Sequence, residues 1–115
     1  MRLSPLFAAA AVLAAASPGL AAELRCPASF RGAALKSFGN SQLFAGDPAN
    51  NYSLMPATKM SGSNFTSSWP IERGYPFTVV CEYIGGGKAA LPVPPEARMC
   101  TQTGTRTTTD SIVCR

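Results

Sequence analysis

Histidine is absent from the 115-residue chain. Its absence removes the usual general base, and with it Ser-His-Asp and Cys-His catalysis as commonly built. Without histidine, a mixed Cys/His metal site has no ligand set. No C-x-x-C spacing occurs either, so neither a redox pair nor a zinc knuckle is on offer. Charged residues make up 14% of the sequence, and the basic ones are scattered singly. That pattern argues against a nucleic-acid binder, which would gather Lys and Arg on one face or in runs. The six acidic residues stand apart from one another, which leaves no pair of carboxylates for glycoside chemistry. Gly85-Gly86-Gly87 lacks the strand-to-helix setting of a phosphate cradle. No apolar run reaches the ~18 residues of a membrane-spanning helix.

What the chain does have begins with residues 1–22. Arg2, an Ala/Leu/Val-rich run through Ala16, and the small residues Ser17-Pro18-Gly19-Leu20-Ala21-Ala22 have the three parts of a secretory leader. Cleavage is expected after Ala21 or Ala22, leaving one small domain over 23–115. Without Arg2, nine basic residues face six acidic ones, a mild positive balance suited to a solvated surface. Cys26, Cys81, Cys100 and Cys114 all fall in this domain. An even count in a short exported chain predicts two disulfides. Cys26 follows Glu23-Leu24-Arg25 rather than a run of small residues, so no lipid anchor is expected. The Ala-rich leader points to a bacterial periplasm, with full secretion as the alternative.

Turn residues recur about every ten positions, at 39–40, 46–48, 61–64, 85–87 and 94–95, a spacing that suits short antiparallel strands. Phe77 to Ile84 is the best strand, with Phe77, Val79, Cys81 and Tyr83 on one core face. Weaker candidates are 35–45, 64–71, 88–93, 98–103 and 109–115. The glycines at 85–87 allow a tight hairpin between the Phe77 strand and the next one. A short helix is expected over 48–54, with Asp47 as its cap and Pro48 at its first position. Cys100 and Cys114 lie symmetrically about Thr107, so a hairpin turning near 104–108 sets them opposite each other. This favours Cys100 with Cys114 and leaves Cys26 to pin the N-terminal strand to Cys81. The fold class read from these signals is all-β, a disulfide-stapled sandwich or open barrel of five to six short strands and one short helix.

Trp69, the single tryptophan, is expected in the core with Tyr83, because a small β domain needs large aromatic groups to fill it. Tyr52 and Tyr75 lie beside turn residues and are the candidates for exposed aromatic hot spots. No catalytic, cofactor or metal residues are assigned.

Several landmarks, taken in order, resemble a family of small exported proteobacterial proteins. They are Cys26-Pro27, Leu43-Phe44-Ala45-Gly46-Asp47-Pro48, Leu54-Met55-Pro56, Trp69, Val80-Cys81-Glu82-Tyr83-Ile84-Gly85, Leu91-Pro92-Val93-Pro94, Cys100 and Val113-Cys114-Arg115. That family includes the Tldi-type periplasmic immunity proteins, which accompany type VI secretion effectors of the L,D-transpeptidase class that attack peptidoglycan. The resemblance implies a non-enzymatic protein that binds such an effector and blocks its cleft. The loops at 46–52, 73–75 and 85–88 would make the contact, with Asp47, Tyr52, Arg73, Tyr75 and Lys88 as the contacting residues. The alternatives are an envelope binding module for a glycan or a host lysozyme, a structural exported protein, and a disulfide-stapled enzyme using an acid such as Asp47 or Glu82. None of these readings calls for a cofactor, a nucleic acid or a membrane span after leader removal.

Overall fold

The structure, a computed structural model, describes residues 23–115, and the expected leader at 1–22 lies outside them. The described residues form β1 (Leu24–Arg25), β2 (Ser29–Phe30), β3 (Ala33–Ala34), β4 (Ser41–Ala45), β5 (Ala57–Ser61), β6 (Asn64–Pro70), β7 (Phe77–Glu82), β8 (Lys88–Pro92), β9 (Met99–Gly104) and β10 (Val113–Cys114). All pairings are antiparallel, and six of the strands have five residues or more. The large sheet runs β1-β10-β9-β6-β5, the small sheet β4-β7-β8, and β2-β3 form a separate ribbon. This is the expected all-β, disulfide-stapled class.

β7 alternates buried and half-buried along its length, as its period-2 pattern requires when one face meets a core. Its buried side chains Val79 and Cys81, followed by Tyr83, meet Leu43 of β4, Trp69 of β6, Ile112, Cys100 and Cys114. Trp69 also closes the seam between sheets with a polar contact: its indole N–H donates to the Leu54 carbonyl at 3.0 Å. Tyr83 is fully buried and donates its hydroxyl to the Pro27 carbonyl at 2.8 Å. The Gly85 and Gly86 backbones sit at φ 96° and 98°, conformations that only glycine adopts freely. They turn the chain so that Glu82 and Lys88 pair across the hairpin.

Cys26 bonds to Cys81 and Cys100 to Cys114. The second bridge links residues directly opposite in the β9–β10 register. The first ties the end of β1, on the large sheet, to the central strand of the small one. On the chain-entropy model, loops of 55 and 14 residues correspond to about 4 and about 3 kcal/mol respectively.

Local structure departs from the sequence reading in five places: the strand expected over 109–115 is reduced to β10, the β2–β3 ribbon was not expected, and three further departures have a visible physical cause. The strand expected over 35–45 is broken: Leu35 makes only an isolated bridge to Tyr83, and β4 begins at Ser41. The cause is Asn40, buried with its amide donating to the carbonyls of Lys36 and Thr109 and its oxygen accepting from the Ser41 hydroxyl. These bonds hold a loop where a strand was expected. The helix expected over 48–54 is a single 3-10 turn, Pro48–Asn50, because Asn51 enters the left-handed region at φ 63°. Beyond it the chain is drawn along the free edge of β4, with Leu54 N–H donating to the Leu43 carbonyl and Ala45 N–H to the Tyr52 carbonyl. Finally, β5 has no counterpart in the sequence reading. All five of its residues are exposed, so no hydrophobic alternation marks it.

Two expectations test this packing. A Cβ on Gly104 would lie 2.5 Å from the Thr108 carbonyl oxygen and 2.7 Å from the Phe65 ring, whereas one on Gly87 would meet only Phe30 at 3.9 Å. Gly104→Ala should therefore cost about 1–3 kcal/mol of overpacking in urea denaturation, with Gly87→Ala within about 0.5 kcal/mol of the parent; equal effects would contradict the close approach. Desolvation of the buried Tyr83 phenol raises its pKa above the ordinary 10.0. The neutral form is the one the fold favours, so its contribution is intact below about pH 10 and is lost as pH rises through the folded-state value. Stability measured from pH 9 upward should decline, and Tyr83→Phe should flatten that decline.

Candidate functional site

At one end of the small sheet, Ala45 of β4 stands opposite Phe77 of β7. The loops that follow β4 and precede β7 are stitched together there: Gly46 N–H donates to the Pro76 carbonyl at 2.8 Å, and the Thr78 hydroxyl to the Gly46 carbonyl at 2.9 Å. Asp47 caps the 3-10 turn by accepting from Ala49 N–H at 2.9 Å. Its carboxylate is thus engaged in shaping the loop. Arg73 and Gly74 form the tip of a turn closed by Tyr75 N–H on the Glu72 carbonyl, and Arg73 is exposed.

This stitching sets two tyrosines on one surface. Tyr52 is 67% and Tyr75 58% exposed, and both line a groove of about 570 Å³ with Gly46, Asn50 and Leu54. On its other side Tyr75 borders a second groove of about 380 Å³, walled by Ile71, Phe77, Val93, Pro94 and Pro95. Tyr75 leans on Phe77, with ring centroids 5.8 Å apart, so the exposed ring is braced by a buried one. Met55, 91% exposed, follows three residues after Tyr52. The result is a ridge of two aromatic rings, with Tyr75 standing between the two shallow apolar grooves, Tyr52 lining one and Glu72 the other, and with Asp47 and Arg73 flanking it in the same loops. An anchor of rigid rings inside a polar rim is the arrangement from which binding hot spots are built.

Four of the five residues expected to contact a partner therefore share this end. Lys88 does not. It pairs with Glu82 at the opposite end of β7, five residue steps from Phe77, or about 17 Å along a strand. There Lys36 lies 3.2 Å from Glu82, beside the exposed Ile84. The loop at 85–88 and the loops at 46–52 and 73–75 thus belong to separate surfaces. Met55, which lines a different groove with Gln42, Trp69 and Gln102, is one of several exposed large apolar residues that the sequence reading passed over. Its signal was slight: a Met next to Pro56, which favours extended backbone before it.

No group of three or more Cys, Asp or Glu side chains that could hold a metal gathers among the described residues, and all four cysteines are taken up in disulfides. No helix of the described residues is long and apolar enough to cross a membrane.

A family model described as "Type VI secretion system Tli immunity protein" matches residues 33–115. The match takes in the whole small sheet, the Tyr52–Tyr75 end and three of the four cysteines, and leaves out Cys26 and β1. No curated protein and no solved structure matches the chain.

If the tyrosines serve contact rather than the core, removing them should leave the fold intact. Tyr52→Ala is expected to change unfolding free energy by less than about 0.5 kcal/mol and Tyr75→Ala, which gives up the packing of its ring on Phe77, by about 0.5–1.5 kcal/mol, against about 1 kcal/mol for loss of the cap in Asp47→Ala. Urea denaturation of the three variants compares them directly, and a larger loss at either tyrosine would return that ring to a structural role.

Proposed function

Because this chain belongs to the type VI secretion system Tli immunity protein family, we propose that it is a non-enzymatic periplasmic protein that binds an incoming peptidoglycan-targeting effector and blocks its cleft. Family membership carries the reading. An L,D-transpeptidase-like effector is the partner class implied by the resemblance of the chain to Tldi-type proteins. The leader-like residues 1–22 and the two disulfides support an oxidising compartment outside the cytoplasm.

An inhibitor of this kind needs no chemistry of its own, which fits a sequence without histidine. It needs a surface whose shape survives binding. The Tyr52–Tyr75 ridge supports that role because backbone hydrogen bonds tie both of its loops to β4 and β7, so little conformational entropy is lost when a partner closes over it. Tyrosine suits the task as well: a broad amphipathic ring with few rotatable bonds. The reading therefore assigns the ridge to the mouth of the effector's cleft, with Asp47 and Arg73 at its rim.

The test uses the oxidised chain from Glu23 onward and any effector encoded beside it. A stable complex is expected, with the effector's action on purified peptidoglycan lost in proportion to complex formed. Tyr52→Ala and Tyr75→Ala should each weaken binding at least about tenfold, the scale of an interface hot spot. Absence of a complex would reject the inhibitor reading, while full affinity in the double variant would move the contact to another surface.

A further inference from the structure

The large sheet ends in an open edge. β5 is bonded to β6 along its whole length, from Ala57 opposite Ser68 to Ser61 opposite Asn64. Among the described residues, its other side meets no strand. A strand paired on one side presents a row of unused N–H and C=O groups on the other, ready to accept a further strand. The other edges of the two main sheets are closed or spoiled. The segment 52–54 covers the far edge of β4. β8 ends in Pro92, which lacks an N–H, and runs on into Pro94-Pro95. β1 has two residues. Among the strands of the described residues, only β5 joins five residues of extended backbone, free of proline, to an open side.

The side chains of β5 discriminate among occupants. Pairing with a second copy in the register that uses the full strand sets Lys59 opposite the other copy's Lys59, and like charges directly opposed are destabilising. Shifting by two residues in one direction brings Pro56 into the pairing; in the other it runs into the hairpin turn at Gly62. Lys59 therefore guards the edge against its own kind. It has no acidic neighbour within β5, β6 or β9, none of which contains Asp or Glu. On the opposite face of the strand Met60 is 65% exposed and stands across from the half-buried Phe65, an apolar step at the rim of the core. The vacant complement is a strand with a carboxylate set against Lys59 and an apolar side chain set against Met60.

We propose that β5 is a strand-addition site that takes up an extended, acid-bearing segment of the effector, a second contact distinct from the tyrosine ridge. The assignment rests on the immunity reading. It makes the large sheet six-stranded in the complex and lets backbone hydrogen bonds supply attachment while the Lys59 and Met60 positions supply discrimination.

Hydrogen exchange on the β5 amides, in the oxidised chain alone and with any effector encoded beside it, tests the assignment without altering the fold. Amides of 57–61 that point away from β6 should exchange fast in the free chain and at least tenfold more slowly in the complex. The amides already bonded between β5 and β6 act as the reference for any general tightening. Lys59→Glu should weaken the complex at least tenfold, and Lys59→Arg should preserve it. A complex that forms without selective slowing at β5 overturns the strand-addition site and leaves the immunity reading standing. Failure of the wild-type chain to form a complex overturns the immunity reading and the site with it. Slowing at β5 that grows with the concentration of the protein alone marks a second copy as occupant and overturns the assignment.

Discussion

The bridge between Cys26 and Cys81 is the constraint on which the rest of the domain depends. A small domain buries a smaller share of its surface than a large one, so each tie between its layers counts for more. Its two main sheets share few large side chains, chiefly Trp69, Tyr83, Leu43 and Ile112. Cys81 lies at the middle strand of the small sheet, flanked by β4 and β8, so fixing it fixes that whole layer against the end of β1. The contacts around the bridge then fall into place. Tyr83 reaches Pro27 beside Cys26, and Cys26 N–H is received by the Ser111 hydroxyl at 2.9 Å. One covalent link and its immediate hydrogen bonds set the spacing between the layers.

With the layers fixed, the two faces offered to a partner differ in kind. The tyrosine ridge is a product of rigidity: its loops are bonded to strand ends and its rings are braced from beneath. The β5 edge is a product of incompleteness, because its backbone bonds are satisfied on one side only. A ridge presents shape before contact, whereas an open edge gains structure through contact. An immunity protein acting as proposed has use for both, since a braced anchor limits the entropy lost on binding and a backbone ladder adds attachment that tolerates variation in the partner's side chains. Lys59 lets such an edge remain open without inviting self-association.

Buried polar groups explain where the chain departs from its apparent strand pattern. Asn40, Ser41 and Gln102 form a connected set: the Ser41 hydroxyl accepts from Ile112 N–H at 3.0 Å and from the Gln102 amide at 3.2 Å, while Asn40 holds Lys36 and Thr109. Leaving any of these groups unpaired in the interior would be costly. The network therefore fixes the loop before β4 as firmly as a strand would, and it joins the last hairpin to the small sheet.

The sequence by itself determined the features that depend on near neighbours or on simple counting. The alternation from Phe77 to Tyr83, the glycine hairpin after it, the cap at Asp47 and the symmetric placing of Cys100 and Cys114 about a turn are all local in this sense. Each reflects a backbone preference or a two-residue period that acts within a few positions. The exposed character of Tyr52 and Tyr75 was legible for the same reason, since both lie against turn residues. Only the tertiary structure decided that these two rings share a surface while Lys88 stands at the far end of β7. That outcome follows from the β4–β7–β8 register, a long-range pairing with no local signature. The structure alone also revealed β5, because an edge strand exposed on both faces has no hydrophobic period to betray it, and it alone revealed the break at Asn40, whose partners lie four and 69 residues away. Local chemistry wrote the strands and turns; which of them meet, and which edge stays open, was set by the burial of side chains distant in the chain.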